Sequence, residues 1–177
     1  MSRYINLITI LRVLLAPTIL AFMIFEYYSI CLILFIFAGF TDYLDGYLAR
    51  KYSAESDLGE ILDPIADKVL IIFIFIGLSV SLDSFLLATM SSLIISREIG
   101  IAALRDYASR NGLLERTKVT FLAKVKTSIQ MFTIVSYLLS LTIKYNLLLI
   151  LSDIMLIMAT LITLYTGYQY TINVTKK

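Results

Sequence analysis

The sequence predicts an all-α membrane protein with six transmembrane helices in one bundle. Hydrophobic residues make up 59% of its 177 positions, and the mean hydropathy is +0.88. A soluble domain of this length could not bury so much apolar side chain. Polar breaks also divide the apolar residues into runs of about 20, the length that a helix needs to cross a hydrocarbon core of about 30 Å.

Each apolar run is assigned to one helix. The six predicted helices cover residues 5–25, 29–50, 60–81, 84–110, 119–143 and 146–172. The connectors at Glu26, Asp83 and Lys144 are short enough to predict tight helical hairpins. We expect the first run to remain in the mature protein, because it lacks a small-residue cleavage site. No repeat or change in composition marks a boundary, so residues 1–177 are predicted to form one domain.

The basic residues predict the orientation in the membrane. Six spans place both termini on one side, and of the 15 basic residues only Lys144 falls clearly on the other side. The positive-inside rule makes the side that carries both termini cytoplasmic. The formal net charge of +2 is too small to indicate a nucleic-acid partner.

Composition restricts the chemistry that the chain can perform. Histidine is absent, and Cys31 is the single cysteine. An internal disulfide, a zinc site built from Cys and His, and a histidine general base are therefore excluded. Acid–base or metal chemistry is left to the carboxylates.

Two of the five aspartates in residues 41–68, Asp42 and Asp45, lie on the second predicted helix. With Asp42 as the reference, Asp45, Gly46 and Ala49 fall within an arc of about 100° on a helical wheel. One helix face thus combines two carboxylates with two positions of nearly bare backbone, which leaves room for a ligand. Small residues also let helices pack closely, but such packing does not require acids beside them.

The third predicted helix carries a similar face. Gly59, Asp63 and Asp67 recur every four residues and drift only about 80° around the helix axis. Four carboxylates at the cytoplasmic membrane boundary would repel one another and require cations. Because carboxylate oxygens prefer hard ions, we predict two divalent cations, Mg²⁺ or Mn²⁺. Paired ions of this kind are suited to phosphoryl transfer.

Two other interpretations of the acids stay open. The acids could solvate a cytoplasmic helix end and pair with Arg50, Lys51 and Lys68. They could instead line the path of a divalent-cation transporter, but such a path needs acids throughout the membrane depth. Only Asp153 lies far from the cytoplasmic end, and we expect it to be structural.

The spacing of the acidic and small residues resembles a known family signature. All eight positions of the CDP-alcohol phosphotransferase signature are present: Asp42-x-x-Asp45-Gly46-x-x-Ala49-Arg50 and, after eight residues, Gly59-x-x-x-Asp63-x-x-x-Asp67. The resemblance implies an enzyme that displaces CMP from a CDP-linked alcohol. It also implies a six-helix membrane fold, usually a homodimer, with two metal ions at the aspartates.

The same resemblance implies a role for each residue of the signature. Asp42, Asp45 and Asp63 would be the principal metal ligands. Asp67 would be the general base and also a candidate metal ligand. The positions expected around the CDP group are Gly46, Ala49, Arg50 and Gly59.

A looser resemblance covers most of the chain and concerns a subgroup of that family. The sequence is similar to the bacterial phosphatidylglycerophosphate synthases in these stretches: Asn6-x-x-Thr9-x-x-Arg12, Thr41 to Ala49, Leu62 to Lys68, Ser96-Arg97-Glu98, Ala103-Leu104-Arg105 and Lys126-Thr127-x-x-Gln130. It implies CDP-diacylglycerol as donor and sn-glycerol 3-phosphate as acceptor, at the cytoplasmic face of the bacterial cytoplasmic membrane. Inositol phosphate, serine and phosphatidylglycerol stay open as other acceptors.

Basic residues independently favour an anionic acceptor. Arg97 and Arg105 lie about 80° apart on one helix, and Lys124 and Lys126 follow on the next. We expect the acceptor phosphate to be bound by Arg97 first, then Lys126, then Arg105 and Lys124. Basic residues could serve instead as topology signals and contacts to anionic lipid. Three roles stay open for Arg12: snorkelling, pairing with an acid, and contact with a phosphate.

Overall fold

The computed structural model describes residues 2–52, 57–113 and 121–175. Within these ranges, side chains are described except at positions 2–6, 45–50, 52, 57, 58, 60, 61, 63, 64 and 121–124. The secondary structure of the described residues consists of helices, namely α1 (Ser2–Ile24), α2 (Tyr28–Tyr52), α3 (Asp57–Ser81), α4 (Phe85–Arg110), α5 (Phe121–Ile143) and α6 (Asn146–Thr175). The all-helical prediction is confirmed for this part of the chain.

The six helices match the six predicted ones, with ends that differ by at most three residues. Among the described residues, three helices are long and apolar enough to cross a membrane: Leu7–Ile24 within α1, Phe85–Arg110 and Asn146–Thr175. In α2 the apolar segment Tyr28–Leu44 is shorter, because the helix continues into the polar residues around Asp42. Six spans, their arrangement in one bundle and the cytoplasmic side of the termini stay predictions.

The three short connectors share one backbone conformation. Glu26, Asp83 and Lys144 each adopt a left-handed conformation, with φ of 60°, 45° and 54°. A left-handed residue just after a helix is a common way to stop it, because the following amide can then bond back to a free carbonyl. After Glu26 the amide of Tyr27 donates to the carbonyl of Phe22 over 3.0 Å. The connectors predicted to be short are therefore short.

The chain divides into two compact units. The first unit comprises Met1–Asp83 and Leu138–Tyr145. Within it α1 packs against both α2 and α3. A methyl group added at Gly77 would come within 2.7 Å of the Met23 sulfur, which shows how closely α1 and α3 approach. Helix α1 is therefore the element that both α2 and α3 pack against.

The second unit comprises Ser84–Tyr137 and Asn146–Lys177. In it α4 packs against α6, and buried polar side chains join α5 to α6. The hydroxyls of Ser136 and Ser152 lie 2.6 Å apart, and the Tyr137 hydroxyl donates to Asp153 over 2.5 Å. In a membrane, apolar side chains gain little by leaving lipid to pack on another helix, so polar contacts of this kind help to hold the helices together. The single domain predicted for the whole chain stays a prediction.

Candidate active site

The first unit brings a buried arginine against two of the motif aspartates. Arg12 Nη1 lies 2.6 Å from Oδ1 of Asp42 and 2.7 Å from Oδ1 of Asp67. The Arg12 side chain is 1% exposed, whereas the two aspartates are 42% and 47% exposed. Helices α1, α2 and α3 thus each contribute one charged side chain to the same place.

Arg12 draws the two carboxylates together. Both oxygens contact one nitrogen, so they can lie no farther apart than the sum of the two distances. Two carboxylates this close repel each other unless a cation is shared between them. Of the three roles left open for Arg12, the structure shows pairing with acids.

The donor set at this position fits a hard divalent cation. Carboxylate oxygens of Asp42 and Asp67 converge from two helices, and both side chains are reachable from solvent. Mg²⁺ and Mn²⁺ prefer oxygen ligands of this kind. Among the described side chains no group of three acids forms, and the side chains of Asp45 and Asp63 lie outside the described set. The structure therefore brings two of the four predicted ligands together, and the metal site stays a prediction.

The residues expected around the CDP group lie on the same two helices. Gly46, Ala49 and Arg50 belong to α2 beyond Asp42, although their side chains are outside the described set. Gly59 is buried on α3, two turns before Asp67. Their nucleotide-binding roles stay predictions.

The second unit contains a mainly basic cluster. Arg97 Nη1 donates to Glu98 Oε1 over 3.1 Å, and Lys126 Nζ pairs with the same oxygen. Arg97 Nη2 also donates to the Thr166 hydroxyl over 3.0 Å. Lys126 and Thr166 are buried. The structure therefore joins the two residues ranked first for the acceptor phosphate through one shared carboxylate.

The other two basic candidates are placed differently. Arg105 is exposed on α4, and the side chain of Lys124 lies outside the described set. Sequence reasoning missed two neighbours of Arg97 on α6, Thr166 and Gly167. A small polar residue beside a glycine in an apolar helix was the available signal, since such pairs let another side chain approach the backbone.

Comparison with known proteins agrees with the motif. Residues 4–169 match the family model described as CDP-alcohol phosphatidyltransferase. Among curated proteins the chain is similar to CDP-diacylglycerol–glycerol-3-phosphate 3-phosphatidyltransferases. It is 34% identical to that of Blochmanniella floridana over 94% of this chain and 88% of the relative. It is 33% identical to that of Haemophilus influenzae, over 92% and 88%, and 32% identical to that of Yersinia pestis, over 92% and 90%.

The family match extends over nearly the whole chain, and the three relatives are covered almost end to end. The resemblance on which the sequence analysis relied is thereby confirmed. This chain belongs to the CDP-alcohol phosphatidyltransferase family.

Proposed function

We propose that the protein transfers a phosphatidyl group from CDP-diacylglycerol to sn-glycerol 3-phosphate, releasing CMP and forming phosphatidylglycerophosphate. The observation that carries this proposal is similarity over more than nine-tenths of the chain to enzymes named for that reaction. In the reaction, the acceptor hydroxyl oxygen bonds to the phosphorus that carries diacylglycerol, and the bond from that phosphorus to CMP breaks. The hydroxyl proton passes to a base on the protein.

Four aspartates are assigned to the binding of metal ions. Members of this family generally depend on divalent cations. We assign Asp42, Asp45 and Asp63 as principal ligands of two ions, Mg²⁺ or Mn²⁺, with Asp67 as a further candidate ligand. When bound, such ions neutralise phosphate charge and act as Lewis acids. The convergence of Asp42 and Asp67 on one cationic nitrogen supports this assignment, because it shows that the fold gathers these acids at one place.

Asp67 is assigned as the general base. The chain contains no histidine to compete for that role, and Asp67 lies one helical turn beyond Asp63 on α3. Its contact with Arg12 holds one carboxylate oxygen in place, which orients the group that accepts the proton. The transfer is then a direct displacement, without a covalent enzyme intermediate.

The remaining site residues are assigned to the two substrates. Gly46, Ala49, Arg50 and Gly59 are assigned to the CDP group, where small side chains leave space for the nucleotide. Arg97 and Lys126 are assigned to the acceptor phosphate, since Lys126 is buried, Arg97 is only 10% exposed, and Glu98 holds the two cations together. Arg105 and Lys124 are assigned weaker, longer-range contributions to the same anion.

The proposed setting is the bacterial cytoplasmic membrane. We propose one domain with six spans, both termini and the active site on the cytoplasmic side, and assembly as a homodimer. The three apolar helices and the bacterial relatives support an integral membrane protein. The distribution of basic residues supports the orientation.

An acceptor panel tests the proposed reaction. Purified protein is supplied with CDP-diacylglycerol and Mg²⁺, then with glycerol 3-phosphate, inositol phosphate, serine or phosphatidylglycerol in separate reactions. CMP and the lipid product are measured, and Asp42→Asn serves as the inactive control. We expect CMP release to be fastest with glycerol 3-phosphate and to match the lipid formed.

A faster reaction with another acceptor would reassign the substrate. Failure with every acceptor, together with Mg²⁺ flux in liposomes, would favour a transporter.

A further inference from the structure

Arg97 is held on three sides by residues of its own unit. Its side chain is 10% exposed, and its terminal nitrogens donate to Glu98 over 3.1 Å and to Thr166 over 3.0 Å. Its Cγ and Nε both lie 3.0 Å from the point that a Cβ atom on Gly167 would occupy. The guanidinium of α4 therefore rests against the bare backbone of α6.

The Thr166 hydroxyl is arranged as an acceptor for Arg97. Its oxygen lies 2.9 Å from the carbonyl oxygen of Ile162 and 3.0 Å from that of Thr163. A hydroxyl has a single proton, so that proton is directed to the helix backbone. The lone pairs remain for the Arg97 N–H, which fixes the side of α6 on which the guanidinium lies.

Gly167 has a steric role that another glycine of the same unit lacks. Any side chain at Gly167 would press on the middle of the Arg97 side chain, at a distance tighter than ordinary van der Waals contact. Gly100 on α4 provides the comparison, because a Cβ there would meet nothing within 4 Å. A side chain at position 167 would therefore displace the Arg97 side chain by a few tenths of an ångström from its observed position.

The charge of the cluster favours an anionic ligand. Arg97 and Lys126 share the one carboxylate of Glu98, so these three side chains sum to one positive charge. A guanidinium has five N–H donors, and Arg97 uses two of them within the described part of the chain. A fixed guanidinium with donors to spare suits a phosphate, which can accept two parallel hydrogen bonds.

We propose that Thr166 and Gly167 are positioning residues for acceptor recognition: they hold Arg97 in the orientation in which it binds a phosphate monoester. This inference rests on the proposed function, and it extends the acceptor site to α6. Glu98 completes the arrangement, because it fixes the other terminal nitrogen of Arg97 and ties Lys126 to it. Neither α6 residue needs to touch the substrate.

Two pairs of variants test the proposal kinetically. Gly167→Ala is compared with Gly100→Ala, and Thr166→Val with Thr160→Val. Thr160 is a buried threonine of α6 whose hydroxyl, within the described part of the chain, donates to the Leu156 carbonyl of its own helix. We expect both test variants to raise KM for glycerol 3-phosphate by about 10-fold, given that misplacing a binding group by 1 Å can cost about 10²-fold. KM for CDP-diacylglycerol should change little, and Thr166→Ser should restore the wild-type value.

A binding measurement separates this inference from the proposed reaction. Thermal stabilisation of each purified variant is recorded against inorganic phosphate and against glycerol 3-phosphate, without CDP-diacylglycerol. We expect half-maximal stabilisation to need about 10-fold more anion in the two test variants than in their controls. If wild type binds the anion but does not transfer a phosphatidyl group to it, the reaction is wrong while the positioning role stands. If the test variants match their controls in anion binding and in KM, the positioning role is wrong.

Discussion

Arg12 donates from Nη1 to Oδ1 of Asp67 over 2.7 Å, and this bond joins α1 to α3 between residues 55 positions apart. The same nitrogen contacts Asp42 of α2. A cation in the first helix is thus part of the charge balance of aspartates that the motif places in the second and third. Without Arg12, the two carboxylates would repel each other more strongly and would lose the contact that holds them in position.

Arg12→Gln should therefore destabilise the protein and slow turnover. Breaking a buried ion pair costs about 3–5 kcal/mol, but the aspartates are partly exposed, so we expect about 1–3 kcal/mol. Arg12→Lys should fall between wild type and Arg12→Gln, because it keeps the charge. The free energy of unfolding in detergent micelles is the measurement.

Arg110→Gln is the control, since Arg110 pairs with Asp106 at the surface. Equal effects of Arg12→Gln and Arg110→Gln would show that the buried pairing is unimportant.

Asp67→Asn should lower kcat by about 10²–10⁴-fold, the range typical for loss of a general base. Binding of CDP-diacylglycerol and of divalent cations should be largely retained. Calorimetric metal titration must accompany the kinetics, because Asp67 is also a candidate ligand. Parallel loss of metal binding and rate would make Asp67 a ligand first. A near-normal kcat with intact metal binding would remove it from the mechanism.

Arg97→Ala and Lys126→Ala should each raise KM for glycerol 3-phosphate by about 10- to 100-fold. Hydrogen bonds to charged groups contribute about 1.5–3 kcal/mol, which corresponds to that range. KM for CDP-diacylglycerol should change far less. Arg105→Ala is the comparison, and we expect an effect within about 3-fold because exposed charges contribute little. Equal changes in KM for both substrates would assign Arg97 and Lys126 to packing.

Tyr137→Phe should reduce stability without changing substrate recognition. The Tyr137 side chain is fully buried, and its hydroxyl is 2.5 Å from Asp153. Loss of this hydrogen bond should cost about 1–3 kcal/mol, because a carboxylate loses its donor. Unfolding and both KM values are compared with those of Tyr145→Phe, a change at an exposed tyrosine. A changed KM would mean that Asp153 belongs to the catalytic machinery.

The helices could be predicted from the sequence because their signals are local. Apolar runs of span length and charged breaks such as Glu26, Asp83 and Lys144 mark where each helix begins and ends. The predicted ends deviate most at the beginnings of α1 and α3 and at the end of α6. There the helices extend into polar residues, which a helix tolerates once it leaves the hydrocarbon region.

The partners of the site residues could not be predicted in the same way. Helical periodicity places Asp42 on one face of α2, but it does not determine which residues of α1 contact that face. One alternative interpretation paired the acids with Arg50, Lys51 and Lys68. The structure instead pairs Asp42 with Arg12, for which an acid was one of three open partners. The contact between Arg97 and Gly167 likewise depends on how α4 packs on α6.

The most direct measurement follows a label from acceptor to lipid. Purified protein is incubated with Mg²⁺, CDP-diacylglycerol and carbon-13-labelled glycerol 3-phosphate, and mass spectrometry identifies the lipid while CMP is quantified. Wild type should form labelled phosphatidylglycerophosphate and CMP in equal amounts. Asp42→Asn, Asp45→Asn and Asp63→Asn should form almost none and should bind divalent cations more weakly, because each loses an anionic ligand. Release of CMP without labelled lipid, or full activity of all three variants at limiting Mg²⁺, would contradict this assignment.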